Sequence, residues 1–347
     1  MGGVDRIRDL SHWPIVVSPM AGGPSVPALT VAAANAGALS FLAGGYKTAL
    51  AMRSEMDQVR AGTDAAFGVN VFVPGEATRE PEALVPYVAA LEPLAAGLGA
   101  EMGPATWDDD DFAAKIEVLL ADPPPIVSFT FGIPPVDVLR GLQSQGVLVA
   151  ITVTTPDEVT LAYEAGADCL CLQGSEAGAH RGAFVNDDRP DQDYPILDLL
   201  AQASQRTDVP LIAAGGVAGP GELEAVLRAG AVAAQAGTAF LRCHESGANP
   251  TYKAALVDPR FESTVITRAF SGRRARALAN EFVREHEGAP KAYPEINNAT
   301  RAFRAAAAAA GDAQHMSLYG GVNFQRWEAR SAGEIIGQLA AGVPEGG

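Results

Sequence analysis

The sequence has little cysteine and histidine, and neither type is arranged to bind a metal. Its three cysteines are Cys169, Cys171 and Cys243, and its five histidines form no closely spaced pair. Three thiols cannot build a disulfide framework, and structural zinc sites need about four ligands at short, regular spacings. We therefore expect no disulfide scaffold and no protein-built metal site, and we interpret the cysteines as buried thiols.

Basic residues and long apolar runs are also scarce. The chain has 25 basic and 41 acidic residues, a formal net charge of -16 at pH 7, and this field repels a phosphate backbone or an anionic bilayer. Ala-rich runs are broken before they reach membrane-spanning length, and MGGVDRIRDLSHWP lacks the apolar core of a signal peptide. We expect no nucleic-acid or membrane partner, and a soluble, cytoplasmic protein that is a monomer or a homodimer.

Short apolar runs, rich in β-branched residues, recur along the chain. Most are followed by turn residues and then by a helix-like amphipathic stretch, a pattern typical of parallel β/α units. We expect strands at residues 15–20, 38–44, 66–72, 126–132, 148–153, 169–174, 211–216 and 233–240. Because an open sheet would leave two edges uncovered, the eight strands predict a closed (β/α)8 TIM barrel.

Two stretches depart from this repeat. Between the third and fourth strands we expect two helices joined by a polar loop, and we interpret the acidic run from Asp108 to Asp111 as a solvated helix start. After the eighth strand, the composition of residues 243–311 predicts a helical lid or substrate subdomain inserted into the barrel.

The predicted domain boundaries follow from that insertion. The barrel would comprise residues 1–242, and a C-terminal segment, 312–347, would return to it with a last barrel helix at 331–339.

Glycine-rich turns follow the seventh and eighth predicted strands. Active sites of TIM barrels lie at the carboxyl ends of the strands, and the loops after strands seven and eight commonly bind phosphate through backbone N–H groups. Gly215, Gly216, Gly237 and Thr238 occupy these turns. They predict a phosphate site, with simple tight turns as the alternative.

His180 lies in a loop of small residues, GAHRG at 178–182, after the sixth predicted strand. Its imidazole could act as a general base near neutral pH, with a surface or packing role as the alternative. Glu176 and Arg181 could contribute to the site or simply pair with each other or solvent.

Three further side chains could contact a flat ring. Asn70 and Gln173 could hydrogen-bond a planar heterocycle, because an amide both donates and accepts; packing against turn backbone is the alternative. Met20 could lie against the ring face, although a lone methionine is more often a core residue.

Nine motifs follow one another along the chain: PMAGG, FGVN, FTFG, TVTTPDEV, QGSEAGAHRG, IAAGGV, QAGTAF, TRAFSGRRAR and GDAQHMSLYGG. In this order they resemble the nitronate monooxygenases, formerly called 2-nitropropane dioxygenases, over nearly the whole chain. The resemblance implies an FMN-containing TIM barrel that oxidises alkyl nitronates, and in some members nitroalkanes, with molecular oxygen and without metal. Propionate 3-nitronate is the physiological substrate that it implies.

The same resemblance implies roles for individual residues. His180 would be the catalytic base. The flavin ring system would contact Asn70, Gln173 and Gly178, and its ribityl phosphate side would contact Gly215, Gly216, Gln235, Ala236, Gly237 and Thr238. Met20, Gly320 and Gly321 would complete the flavin pocket.

The chain departs from the family pattern at two positions. Ala179 stands where a second glycine often precedes the histidine, which we interpret as a small steric change, and Thr130 stands where members often have a histidine. Because Thr130 replaces that histidine, the sequence does not identify the substrate.

Two other enzyme classes remain as alternatives. One is an NAD(P)H-dependent flavin reductase acting on enoyl thioesters or quinones. The other is a flavin-free isomerase or aldolase that binds a sugar phosphate.

Overall fold

Eight parallel strands close into a barrel in the computed structural model, which describes residues 3–187 and 193–343. The strands pair in the order β1-β2-β3-β4-β5-β6-β8-β9. Their bounds are β1 Ile15–Val17, β2 Leu39–Ala43, β3 Phe67–Phe72, β4 Ile126–Thr130, β5 Leu148–Val153, β6 Cys169–Gln173, β8 Leu211–Ala214 and β9 Ala233–Ala236. The predicted barrel and its strands are confirmed. Several strands end earlier than predicted because their last residues form the turns.

The barrel strands are buried on both faces, which explains their continuous apolar sequences. Successive residues point to opposite sides, so Val16 packs inside the barrel with Phe41 and Ile212, whereas Ile15 and Val17 pack in the main core cluster, which includes residues of the surrounding helices. Ile7 of the N-terminal helix also packs with the interior group.

Ten α-helices surround or extend the barrel among the described residues outside 243–311. They are α1 Gly3–Arg8, α2 Pro27–Asn35, α3 Ala49–Gly62, α4 Val85–Gly97, α5 Phe112–Ala121, α6 Val136–Ser144, α7 Pro156–Ala165, α8 Ile196–Ala203, α9 Pro220–Arg228 and α13 Ala332–Ala340. Ser331 and Glu334 form a capping box at the start of α13, which packs against α2 and α9. The predicted last barrel helix is therefore confirmed. No helix in the described ranges is long and apolar enough to cross a membrane.

The acidic run stands at the start of α5, as we predicted, and its Asp108 and Asp111 are exposed, but two of its carboxylates also have specific partners. The Asp110 carboxylate accepts a hydrogen bond from the Tyr46 N–H at 2.8 Å and pairs with the buried Lys115 ammonium at 2.8 Å. Asp111 accepts from the Ala49 N–H at 2.7 Å, at the start of α3. These two carboxylates fix the turn after β2 by satisfying its backbone donors.

The segment 243–311 contains the helices that we predicted and, in addition, two strands. Its elements are α10 Pro250–Ala255, β10 Thr264–Thr267, β11 Ala275–Leu278, α11 Glu281–Glu285 and α12 Glu295–Ala309. β11 pairs antiparallel with β10 and with β7, Ala179–His180. The insertion therefore adds a small sheet to the His180 loop. The domain boundaries themselves stay a prediction.

Candidate active site

A cavity of about 480 Å³ opens at the carboxyl ends of the barrel strands and is closed partly by α12 and the C-terminal segment. Every residue predicted for the catalytic and cofactor sites lines it: Met20, Asn70, Gln173, Gly178, His180, Gly215, Gly216, Gln235, Ala236, Gly237 and Thr238. Gly321 also lines it, whereas Gly320 packs behind, facing Leu278 and Phe324.

The loop that carries His180 is held by the Gln173 side chain. The Gln173 amide nitrogen donates to the His180 carbonyl at 3.0 Å, and its oxygen accepts from the Gly182 N–H at 2.8 Å. Gln173 thus makes the packing contacts with turn backbone that we had considered as its alternative. On the far side, the backbone of His180 pairs with Ala275 of β11.

Ser271 lies beside the His180 ring. His180 Nε2 lies 2.8 Å from Ser271 Oγ, and the Ser271 hydroxyl lies 3.2 Å from the Arg273 carbonyl. A hydroxyl has one proton, which Ser271 donates either to Nε2 or to that carbonyl, so the contact is compatible with either tautomer of the neutral imidazole. Nδ1 has no hydrogen-bond partner among the described residues.

The surroundings of His180 keep its imidazole neutral. Burial, followed by the positive charges of Arg273 and Arg304, lowers the pKa of His180 from 6.5 to about 3. The Arg273 guanidinium is itself buried and lies 3.9 Å from the centroid of the Phe131 ring. The neutral imidazole is the form that accepts a proton, and the same lowered pKa makes it a weaker base than an ordinary histidine.

Four aromatic residues enclose this part of the cavity. The His180 ring centroid lies 5.2 Å from that of Tyr319, 5.5 Å from Tyr293 and 6.1 Å from Phe131. The Tyr293 hydroxyl is 3.0 Å from the Tyr46 hydroxyl. Our sequence reasoning missed all four. Tyr46 and Phe131 were detectable in principle, because Tyr46 follows the end of a predicted strand and Phe131 lies near the end of another.

Backbone strain is concentrated around the same cavity. Tyr46, Phe131 and Ala179 have φ values of 64°, 77° and 67°, in the left-handed region that side chains disfavour. All three line the cavity. The replacement of glycine by Ala179 is therefore a change in backbone energy, not merely the small steric change that we expected. Such outliers persist where the surrounding structure fixes them, as at functional sites.

Asn70 presents only its acceptor to the cavity. Its amide nitrogen donates to Ser128 Oγ at 2.9 Å and to Thr130 Oγ1 at 3.0 Å, while no hydrogen bond to its oxygen is found within the described residues. Thr130 thus orients Asn70. The amide that we expected to both donate and accept is available as an acceptor.

The two glycine-rich turns after β8 and β9 form what we call the amide cradle: the backbone N–H groups of Gly215, Gly216, Gly237 and Thr238. Within the described residues, these N–H groups donate no hydrogen bond. Gly215 and Gly216 have φ values of 107° and 75°, which turn the chain as glycine allows. Unpaired amides that converge on a cavity are suited to bind an anion.

The C-terminal segment packs directly onto these turns. A Cβ at Gly178 would lie 2.5 Å from the Gly320 carbonyl carbon, so only glycine permits this approach. The Gly321 N–H donates to Thr238 Oγ1 at 3.0 Å, and Asn323 donates to the Gly216 carbonyl at 3.1 Å.

Glu176 and Arg181 have structural partners, but not each other. The Glu176 carboxylate accepts from the Ile196 N–H at 3.1 Å, at the start of α8. Arg181 is buried, forms an ion pair with Asp193 at 3.3 Å and donates to the Gly174 carbonyl at 2.7 Å. The cysteines are buried and free, as expected.

Comparisons with known proteins agree with this geometry. The family model described as nitronate monooxygenase matches residues 5–342. The chain is 39% identical to a nitronate monooxygenase from Pseudomonas aeruginosa over 94% of this chain and 95% of that one, and 36% identical to a probable nitronate monooxygenase from Bacillus subtilis, covering 94% of each.

Solved structures give the same result. A nitroalkane oxidase from Streptomyces ansochromogenes superposes with a TM-score of 0.93 at 46% identity, covering 97% of both chains. FabK from Thermotoga maritima superposes less well, with a TM-score of 0.72 at 26% identity over 96% of this chain and 94% of that one. The chain belongs to the nitronate monooxygenase family of flavin-dependent oxidoreductases.

Proposed function

We propose that this protein binds FMN and oxidises alkyl nitronates with molecular oxygen, and nitroalkanes after removing a proton from them. The observation that carries the proposal is the presence, in one cavity, of a neutral imidazole and a cradle of backbone amides that have no partner among the described residues. Family membership supports a substrate that is a nitronate or a nitroalkane.

The described residues fit FMN. The amide cradle of Gly215, Gly216, Gly237 and Thr238 offers unpaired donors for the phosphate. Gln235 and Ala236 adjoin it at the end of β9. Gly178, Met20 and the Asn70 oxygen line the space left for the ring system, and Gln173 supports it indirectly through the His180 loop. Bound FMN would supply two-electron oxidation and the reaction with oxygen.

His180 has the properties of a general base toward a nitroalkane. Nδ1 would take the α-proton, and the electron pair of the broken C–H bond would pass to the nitro group, giving the nitronate. In the tautomer that this step requires, Nε2 carries the proton and donates to Ser271 Oγ, and the lone pair is on Nδ1. A substrate that arrives as the nitronate needs no base. The two substrate classes therefore differ in their dependence on His180.

The segment 243–311 supports a role as a lid or substrate subdomain. It contributes Ser271, Tyr293 and α12 to the surroundings of the cavity, all of them beyond the barrel strands. These residues exclude water from His180, which favours its neutral form.

The visible absorption spectrum of the purified protein tests the proposal. We expect a flavin spectrum, a heat-released cofactor that chromatographs as FMN, and bleaching when ethyl nitronate is added without oxygen. Admission of air should restore the spectrum.

Other outcomes would contradict the proposal in distinguishable ways. Bleaching by NADH or NADPH, together with failure to respond to a nitronate, would favour the reductase. A colourless protein that is unchanged by added FMN would favour the flavin-free isomerase or aldolase. FAD in place of FMN would contradict the single-phosphate assignment.

A further inference from the structure

One face of α12 forms a wall of the cavity. Asn297, Arg301, Arg304, Ala305 and Ala308 line the cavity at helical spacing, while Ile296, Phe303 and Ala307 on other faces are buried in hydrophobic clusters. The wall therefore carries two arginines one turn apart.

Neither arginine has an acidic partner. Within the described residues no ion pair includes Arg301 or Arg304, although the chain as a whole carries a charge of -16. Arg304 is half-buried and is held by α12 itself: Nε donates to Thr300 Oγ1 at 3.1 Å and Nη2 donates to Asn297 Oδ1 at 2.8 Å. Its Nη1 donates no hydrogen bond within the same part of the chain. Like charges at this spacing repel, so the pair costs the helix stability.

A second donor lies nearby. Tyr319 lines the same cavity with its ring 5.2 Å from the His180 ring, and its buried hydroxyl lies beside Ser271. Burial raises the pKa of Tyr319, and the positive charge of Arg304 and the contact with Ser271 lower it by less, so the hydroxyl keeps its proton. The Arg304 charge also lowers the pKa of His180. A phenol hydroxyl has one proton to donate, and an anion in the cavity can accept it.

We infer that Arg304 and Tyr319 form the recognition site for the anionic NO2 group of the substrate, beside His180. This inference rests on the proposed function and names the residues that make the site prefer a nitronate to the neutral nitroalkane. A guanidinium nitrogen and a phenol can donate to the two oxygens of a planar anion, and such charge-assisted hydrogen bonds are stronger than neutral ones. Arg301 is exposed at the rim of the cavity. It adds to the positive electrostatic potential there without contacting the anion.

Nitrate is the direct probe, because it is planar and isoelectronic with the nitronate head. Nitrate binding to the purified holoenzyme is measured by calorimetry. Arg304→Gln should weaken it by about 10- to 100-fold, the range expected for lost hydrogen bonds to a charged group, and Tyr319→Phe by a smaller factor of about 2 to 10. Steady-state kinetics should show the same ranking: in Arg304→Gln the KM for ethyl nitronate rises more than the KM for nitroethane.

Two control variants separate contact from general charge. Arg301→Gln removes the same charge from the same helix face, and its effect on nitrate should be several times smaller than that of Arg304→Gln. Arg304→Lys keeps the charge and should recover part of the affinity; it also serves as the test if Arg304→Gln fails to fold. FMN content monitors the fold in each variant.

Equal effects of Arg301→Gln and Arg304→Gln would overturn the inference, as would unchanged nitrate binding in Arg304→Gln. Nitrate binding does not require turnover. If the wild type binds nitrate through Arg304 but oxidises no nitronate, the proposed reaction is wrong while the anion site stands.

Discussion

The two halves of the cavity are built by different means. The half at β8 and β9 consists mainly of backbone: Gly215, Gly216 and Gly237 present amide groups, and the residues that form it are close together in the sequence. The half around His180 consists of side chains drawn from Tyr46 to Tyr319, and three of its residues have a strained backbone. The first half is suited to a constant group such as a phosphate, and the second to a substrate that varies.

The difference is also electrostatic. The amide cradle attracts an anion through partial charges that do not titrate. Around His180 the groups carry full charges: burial keeps the imidazole neutral, and the positive charges of Arg273 and Arg304 add to that effect. A mutation in the first half should therefore affect cofactor retention, and a mutation in the second should affect chemistry on particular substrates.

The largest expected effect is that of His180→Asn. Loss of a general base commonly costs about a hundredfold to ten-thousandfold, so nitroalkane oxidation should fall by that order. Nitronate oxidation should fall much less, because a nitronate has already lost its α-proton and needs no base. The measurement is kcat/KM on nitroethane and on ethyl nitronate, with FMN content as the check on the fold.

The exposed His12 provides the matched control, since His12→Asn makes the same substitution away from the cavity and should alter neither rate. Equal losses on both substrates in His180→Asn would show that His180 serves substrate binding instead.

Gly237→Asp should disrupt FMN binding at the half of the cavity formed by β8 and β9. Its carboxylate would oppose the phosphate, and we expect FMN affinity to weaken by about a hundredfold or more, as for the loss of charged hydrogen bonds. The backbone itself tolerates a side chain, because a Cβ would lie 3.2 Å from the Ser18 Cβ and require only a small shift. Titration of apoprotein with FMN, followed by flavin fluorescence, measures the affinity.

Gly237→Ala adds the same Cβ without the charge and should retain most of the affinity. If the aspartate variant binds FMN as the wild type does, Gly237 is a turn residue and the phosphate lies elsewhere.

The same division explains what the sequence could reveal. The glycine turns were predictable, because tight turns after parallel strands have a local sequence pattern and the fold fixes where they meet. Tyr293, Ser271 and Arg304 were not, because they belong to an insertion whose path the barrel pattern does not determine. The two strands of that insertion were missed for a related reason: β11 is stabilised by pairing with Ala179 and His180, far away in the sequence.

The pH dependence of nitroalkane oxidation sharpens the electrostatic contrast. The pKa of His180 in the folded protein is about 3, below its ordinary value of 6.5, so the base stays neutral as pH falls through 6.5. We expect kcat/KM on nitroethane to show no acidic limb near pH 6.5, between pH 5 and 8. An inflection close to 6.5 that disappears in His180→Asn would show an imidazole in contact with solvent.

The lowered pKa of His180 makes the free energy of unfolding depend on pH. Between pH 6.5 and about 3 the unfolded chain binds a proton at His180 that the folded chain does not. The free energy of unfolding should therefore decrease as pH falls below 6.5, and this part of the decrease should be absent in His180→Asn.

The smallest expected effect concerns the strain beside His180. Ala179 has a φ of 67°, where a non-glycine residue costs about 1–2 kcal/mol. Glycine removes that cost, but it also increases the conformational entropy of the unfolded chain, which lowers the free energy of unfolding by roughly 0.5–1 kcal/mol. Ala179→Gly should therefore raise the free energy of unfolding by about 0.5–1 kcal/mol, as measured by urea denaturation of the holoprotein.

The same substitution in a helix provides the control, because it should change the free energy of unfolding in the opposite direction. Ala225 is exposed within α9, where the backbone is helical, and Ala225→Gly should lower the free energy of unfolding by about 1 kcal/mol. If both variants are destabilised equally, Ala179 is not strained. Ala179→Gly could also be more stable and oxidise nitroethane more slowly, with nitronate oxidation unchanged. That result would show that the strained backbone at Ala179 holds the His180 ring in place for proton removal.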